Sequence, residues 1–147
     1  MTREVAFAGD GGRLTIGVVS YEFNEDASGS EANWLKGGVR IELSATGAFR
    51  CSVPVLYMAD EMGYFRDDLG RILERRKGEA TLETEEDRVS ITVTLGSGEA
   101  ALSGYVQVDG FARLDFIDIR TDEESLRRAH AQLVELAREF PVRTRAG

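Results

Sequence analysis

Histidine, cysteine, proline and lysine are nearly missing from this 147-residue chain, which has one His, one Cys, two Pro and two Lys. Each scarcity excludes something. Cys51 has no partner for an intramolecular disulfide, which fits a reducing compartment. His130 has no Cys, His or carboxylate pair around it at metal-ligand spacing, so no metal centre is expected and it reads as a packed or partly exposed helix residue. No apolar run approaches membrane-spanning length. Acidic residues and a glycine break Met1 to Asp10 before a signal-peptide core could form, so a cytoplasmic protein with no membrane partner is expected. No Gly-rich phosphate loop precedes a helix, because Gly9-Gly11-Gly12 and Gly96-Gly98 both join strands; no cofactor is expected. A net charge of −8 argues against a nucleic-acid surface and permits a basic protein as partner.

What is present is an ordinary globular pattern, with 42% hydrophobic and 30% charged residues. A chain of this size buries enough surface to need no staple, and a single domain over residues 1–147 is expected. Val5-Ala6-Phe7 opens as a short strand, and Leu14, Ile16 and Val18 alternate with polar or small residues, the period of a half-buried strand. The parity changes at Val19, which predicts a bulge or a change of face. Val39, Ile41 and Leu43, then Phe49, Cys51, Val53 and Val55, form a hairpin across Thr46-Gly47, with Cys51 as a small core residue. Pro54 cannot donate to a ladder and marks an edge or a strand end. The period then lengthens. Met58, Met62, Phe65, Leu69 and Ile72 make one helical stripe, with Asp60 and Glu61 at its start, Arg75, Arg76 and Lys77 at its end, and Gly78 as the stop.

The second half repeats that grammar. Strands run through Ala80 and Leu82, through Val89 to Leu95, through Leu102 to Val108, and from Leu114, with a second parity shift among Phe116, Ile117 and Ile119. Thr121-Asp122-Glu123-Glu124 reads as a capping box, with the Thr hydroxyl as cap. Leu126, Ala129, Leu133, Leu136 and Phe140 form the stripe of a last helix that Pro141 ends. The expected fold is therefore α+β: about eight antiparallel strands with two helices, patterned as a duplicated ββββα unit with halves 1–78 and 79–147.

The acid is uneven. Residues 79–99 hold Glu79, Glu83, Glu85, Glu86, Asp87 and Glu99 against Arg88 alone. A solvated hairpin needs some charge, but like charges placed this close repel. Glu25, Asp26 and Glu31 form a second acidic group in the loop before Asn33. An acid–base pair would need an enclosed site that drives two carboxyl pKa values apart, and these carboxylates lie on turns, so no catalytic residues are assigned.

Tyr21-Glu22-Phe23, the acidic loop, Asn33-Trp34-Leu35 and the strand that follows resemble the WapI-type immunity proteins of bacterial polymorphic toxin systems. The resemblance continues through Phe65 and Leu69, Glu83-Thr84-Glu85, Gly104-Tyr105-Val106-Gln107-Val108 and Phe140-Pro141-Val142-Arg143. It implies a non-enzymatic cytosolic antitoxin that binds and neutralises a toxin made beside it, often a nuclease acting on tRNA. It carries over no contact residues. In Asn33-Trp34-Leu35 itself, Asn33 reads as a cap or turn and Trp34 as a plug at one end of the core.

The leading expectation is an immunity-type inhibitor whose acidic loops occlude a basic toxin surface through Glu25, Asp26, Glu31, Glu83, Glu85, Glu86 and Asp87. The alternative is a generic protein-binding or scaffold module, joined as a homodimer through an open strand edge. A hydrolase using an unrecognised carboxylate pair is the third.

Overall fold

The strand periods close into two sheets in a computed structural model, which describes residues 3–23, 29–44, 47–108, 110 and 112–143. Strands β1 (Arg3–Ala8), β2 (Gly12–Tyr21), β3 (Trp34–Leu43) and β4 (Phe49–Met58) form one antiparallel meander in that order. Helix α1 (Ala59–Arg75) follows, then the meander β5 (Gly78–Glu83), β6 (Val89–Gly96), β7 (Glu99–Gln107) and β8 (Arg113–Asp122), and finally α2 (Glu123–Glu139). The ββββα order thus occurs twice, and the eight strands divide into two sheets of four. A short 3-10 helix, Gly29–Asn33, leads into β3.

The helices join the halves. α1 packs against β5, the first strand of the second sheet, while α2 packs against β1, the first strand of the first sheet, and the two helices touch each other. Each helix therefore covers the strand that opens the other half. Alternation puts Val5, Phe7, Ile16, Ile41 and Val55 of the first sheet inside with Leu82, Ile91, Val93 and Leu102 of the second. With Met62, Phe65, Leu69, Leu126, Leu133 and Leu136 from the helices they form one apolar cluster across both halves. Burying each such side chain contributes about 1.5–3 kcal/mol, which is why the helical and strand periods are strict here. His130 is half-buried on α2 beside Gly70 of α1; a methyl on Gly70 would stand 2.9 Å from its Nε2, so the glycine makes room for the ring between the helices.

Both parity shifts are bulges. The β2–β3 register slips between Val18 and Ser20, and the β7–β8 register slips between Leu102 and Gly104. Pro54 lies on β4, an edge strand, opposite Gly38 of β3.

Four readings of the sequence need correction. The N-cap of α2 is Asp122, whose carboxylate accepts from Ser125 N at 2.8 Å; Thr121 is still extended, and its hydroxyl donates to Ala8 O at 2.7 Å. The left-handed residue that ends α1 is Arg76 (φ 61°), with Gly78 (φ 124°) already opening β5. Trp34 is only half-buried, because fully buried Leu35 takes the inward side at that point of β3. Cys51 is half-buried at the margin of the core.

Candidate partner-binding surface

The acidic turn between β5 and β6 is built on one buried hydroxyl. Thr84, 5% exposed, accepts from Arg88 N at 3.0 Å and Val89 N at 3.2 Å through Oγ1. Its main chain accepts from Asp87 N at 2.9 Å. Asp87 sits at φ 57°, a left-handed conformation that Asp tolerates better than most residues. Because threonine closes the turn, the carboxylates are not spent on it. Glu83, Glu85, Glu86 and Asp87 are all exposed. Among the described residues Glu83 and Glu85 make no ion pair, Glu86 reaches only Arg88 at 3.9 Å, and Asp87 accepts from the Tyr105 hydroxyl. That bond raises the Tyr105 pKa, while Arg113 stacks over the same ring at 3.8 Å.

The turn abuts the start of α1. Glu61 accepts from Met58 N at 2.7 Å and is bonded by the Glu85 backbone. Partial burial nonetheless pushes its pKa up to about 7, the desolvation outweighing both donors. Met58 is also the register partner of Trp34, which directly follows the 3-10 helix that carries exposed Glu31. Glu31 and the Glu83–Asp87 turn therefore flank one end of the molecule, around the first turn of α1 with Asp60 and Glu61. Glu25 and Asp26 lie outside the described residues.

The same end is clamped by the C-terminal segment, which sequence reasoning missed. Asn33 Oδ1 accepts from Arg143 N at 2.6 Å, and its Nδ2 donates to Arg143 O at 3.3 Å. Arg143 donates onward to Ala32 O at 2.6 Å and Phe23 O at 3.3 Å, and its guanidinium lies 3.7 Å over the Tyr21 ring. Tyr21 donates to Pro141 O at 2.5 Å and meets Phe140 edge-on at 5.5 Å. Three short motifs far apart in sequence, at Tyr21–Phe23, Asn33–Leu35 and Phe140–Arg143, thus meet in one structural knot. The only available signal was their shared polar and aromatic character.

A second feature emerges at the opposite end of β3. An open groove of about 680 Å³ runs between the β1–β2 turn, the β3–β4 hairpin and β8, lined by Leu43, Phe49, Ile117 and Ile119. Ile117 is 78% exposed and Phe49 44%.

No group of three His, Cys, Asp or Glu able to hold a metal occurs among the described residues. Glu61, the carboxyl with the strongly raised pKa, serves backbone N–H groups at a helix start. Among the described residues no helix is long and apolar enough to cross a membrane.

Comparison with family models matches residues 6–141 to the immunity protein WapI-like family. No curated protein matches the chain. The match spans nearly all of the sequence, and the chain belongs to the WapI-like immunity protein family.

Proposed function

We propose that this WapI-like family member is a non-enzymatic immunity protein that binds a protein toxin in the cytoplasm and neutralises it by occlusion. Family membership carries the reading. The acidic end supports it: Glu83, Glu85, Glu86 and Asp87 stand exposed on a turn whose backbone is already fixed by Thr84, with exposed Glu31 at the same end, and Glu25 and Asp26 join the proposed contacts on their sequence alone. A preset turn loses little entropy when a partner engages it. A nuclease toxin is the class this charge suits, because a face that binds phosphates must be cationic. Carboxylates offered to that face compete with its substrate and steer the encounter.

The test is neutralisation in cells co-expressing a toxin domain with this chain, followed by stopped-flow association of the purified pair. Replacing Glu83, Glu85 and Glu86 together by Gln is expected to slow association about tenfold at low salt, with a smaller change in dissociation. Association of the wild-type pair should itself slow as salt rises. An on-rate indifferent to salt would remove the acidic turn from the mechanism.

A further inference from the structure

The two halves share one architecture, so a feature found in only one of them is not demanded by the fold. The bulge in β8 is such a feature. Its counterpart β4 keeps unbroken register with β3 from Trp34–Met58 to Leu43–Phe49, with Val53 and Val55 buried. In β8 the chain inserts Ile117 and Asp118 opposite Ser103, whose Oγ accepts from Asp118 N at 3.1 Å. Asp118 adopts φ 55° to make the bend. Alternation from buried Phe116 turns Ile117 out, to 78% exposure in the groove it shares with Phe49, and the inserted residue keeps Asp118 out as well before Ile119 returns to the core at 7%. Bulges commonly re-aim a side chain at a functional site. An exposed β-branched residue on an edge strand is otherwise a liability.

The rim sets the chemistry of what fits. Asp10 and Asp118 border the groove, and the one bordering guanidinium, Arg120, is drawn to Glu99 at 3.8 Å. With Arg120 paired to Glu99 outside the groove, the two bordering aspartates leave the margin acidic. An apolar centre inside a charged rim is the anatomy of a protein-contact hot spot.

We propose that this groove is a second contact surface for the partner, receiving an apolar side chain that projects from a basic protein face. The occupant follows from charge: a second copy would bring a like-signed rim and a net charge of −8 to the same place. The inference rests on the immunity reading and adds a surface at the end of β3 remote from the Glu83–Asp87 turn.

The experiment is calorimetric titration of the full chain with the toxin domain that wild-type protein neutralises, using Ile117→Arg and Phe49→Ser, with Tyr64→Arg on α1 (a 68% exposed site) as control. Ile117→Arg adds bulk and a cation facing cations, and is expected to weaken binding about 30-fold or more, the scale of a hot spot. Phe49→Ser should weaken it about tenfold and Tyr64→Arg should leave it unchanged. Thermal unfolding near wild type would show that the groove variants fold; Ile117→Ser replaces any that does not. Wild-type affinity in both groove variants would overturn the groove while leaving the immunity reading intact. A wild-type mass that doubles with concentration, and stays monomeric in Ile117→Arg, would overturn the occupant in favour of a second copy. A wild-type chain that binds no toxin domain would overturn the immunity reading and this occupant with it.

Discussion

Removing the Asn33 side chain tests whether the C-terminal knot is structure or decoration. Asn33→Ala deletes the acceptor for Arg143 N and the donor to Arg143 O, at 2.6 and 3.3 Å. A hydrogen bond of this kind contributes about 1 kcal/mol net, and the part-buried Arg143 backbone groups would be left unpaired, so the expected loss is about 2 kcal/mol. For a chain of this length the unfolding entropy is roughly 0.3 kcal/mol per kelvin, so the midpoint should fall by about 6 °C. Urea unfolding at fixed pH gives the free energy, and the thermal scan checks the midpoint. Asn33→Asp retains the acceptor and loses the donor, and should cost less than alanine. Arg143→Ala removes the bonds to Ala32 and Phe23 and the stack on Tyr21. Both single changes detach the same segment, so the double variant should lose less than the sum of the two. A loss under about 0.5 kcal/mol for Asn33→Ala, or strict additivity with Arg143→Ala, would refute the clamp.

Glu61 has a folded-state pKa of about 7, above its ordinary 4.5, so the stability it contributes is full below 4.5 and is lost as pH rises through about 7. Urea titrations of Glu61→Gln should therefore show it gaining on wild type between those limits and holding its advantage above them; a constant difference would contradict the burial argument. Asp122→Ala should cost about 1 kcal/mol as loss of the α2 cap, measured by the same unfolding. Fragments 1–77 and 78–147 should not fold as separate monomers but should combine on mixing, seen as recovered circular dichroism. A cooperative unfolding transition from monomeric 1–77 alone would break the argument that each half depends on the other's helix.

Much of the fold was legible because burial imposes a period. Val89, Ile91, Val93 and Leu95 could face only one way in a strand, and Met62, Phe65 and Leu69 only one way in a helix. Even the bulges were written as breaks in parity, at Val19 and around Ile117. The capping box was misplaced by one residue because Thr121 and Asp122 are both good caps, and the choice was made by a distant acceptor, Ala8 O. Period also says nothing about contacts between distant segments. Asn33 meets Arg143 across 110 positions, and Glu31 stands at the same end as the Glu83–Asp87 turn only because Trp34 pairs with Met58. The division into two sheets, with helices exchanged between them, was invisible for the same reason: strand pairing within a meander is local, and helix docking is not.

The repeated ββββα order offers a way to separate what holds this protein together from what it does. The elements both halves share are the four-strand meander, the 17-residue helix and the docking of that helix on the other half's first strand. These account for the core. The differences lie at bulges, turns and ends: a bulge in β2 and a 3-10 helix before β3 in the first half, an acidic turn after β5 and a bulge in β8 in the second, and a C-terminal clamp on the loop before β3. Charge follows the same division. Residues 1–78 carry twelve acidic and ten basic side chains, whereas residues 79–147 carry fourteen and eight, so most of the net −8 belongs to the second half. Core packing needs none of that excess, since buried positions are almost wholly apolar. Each half's first strand is held by the helix of the other, so the turns and edges of one half can change without touching the helix that holds its sheet.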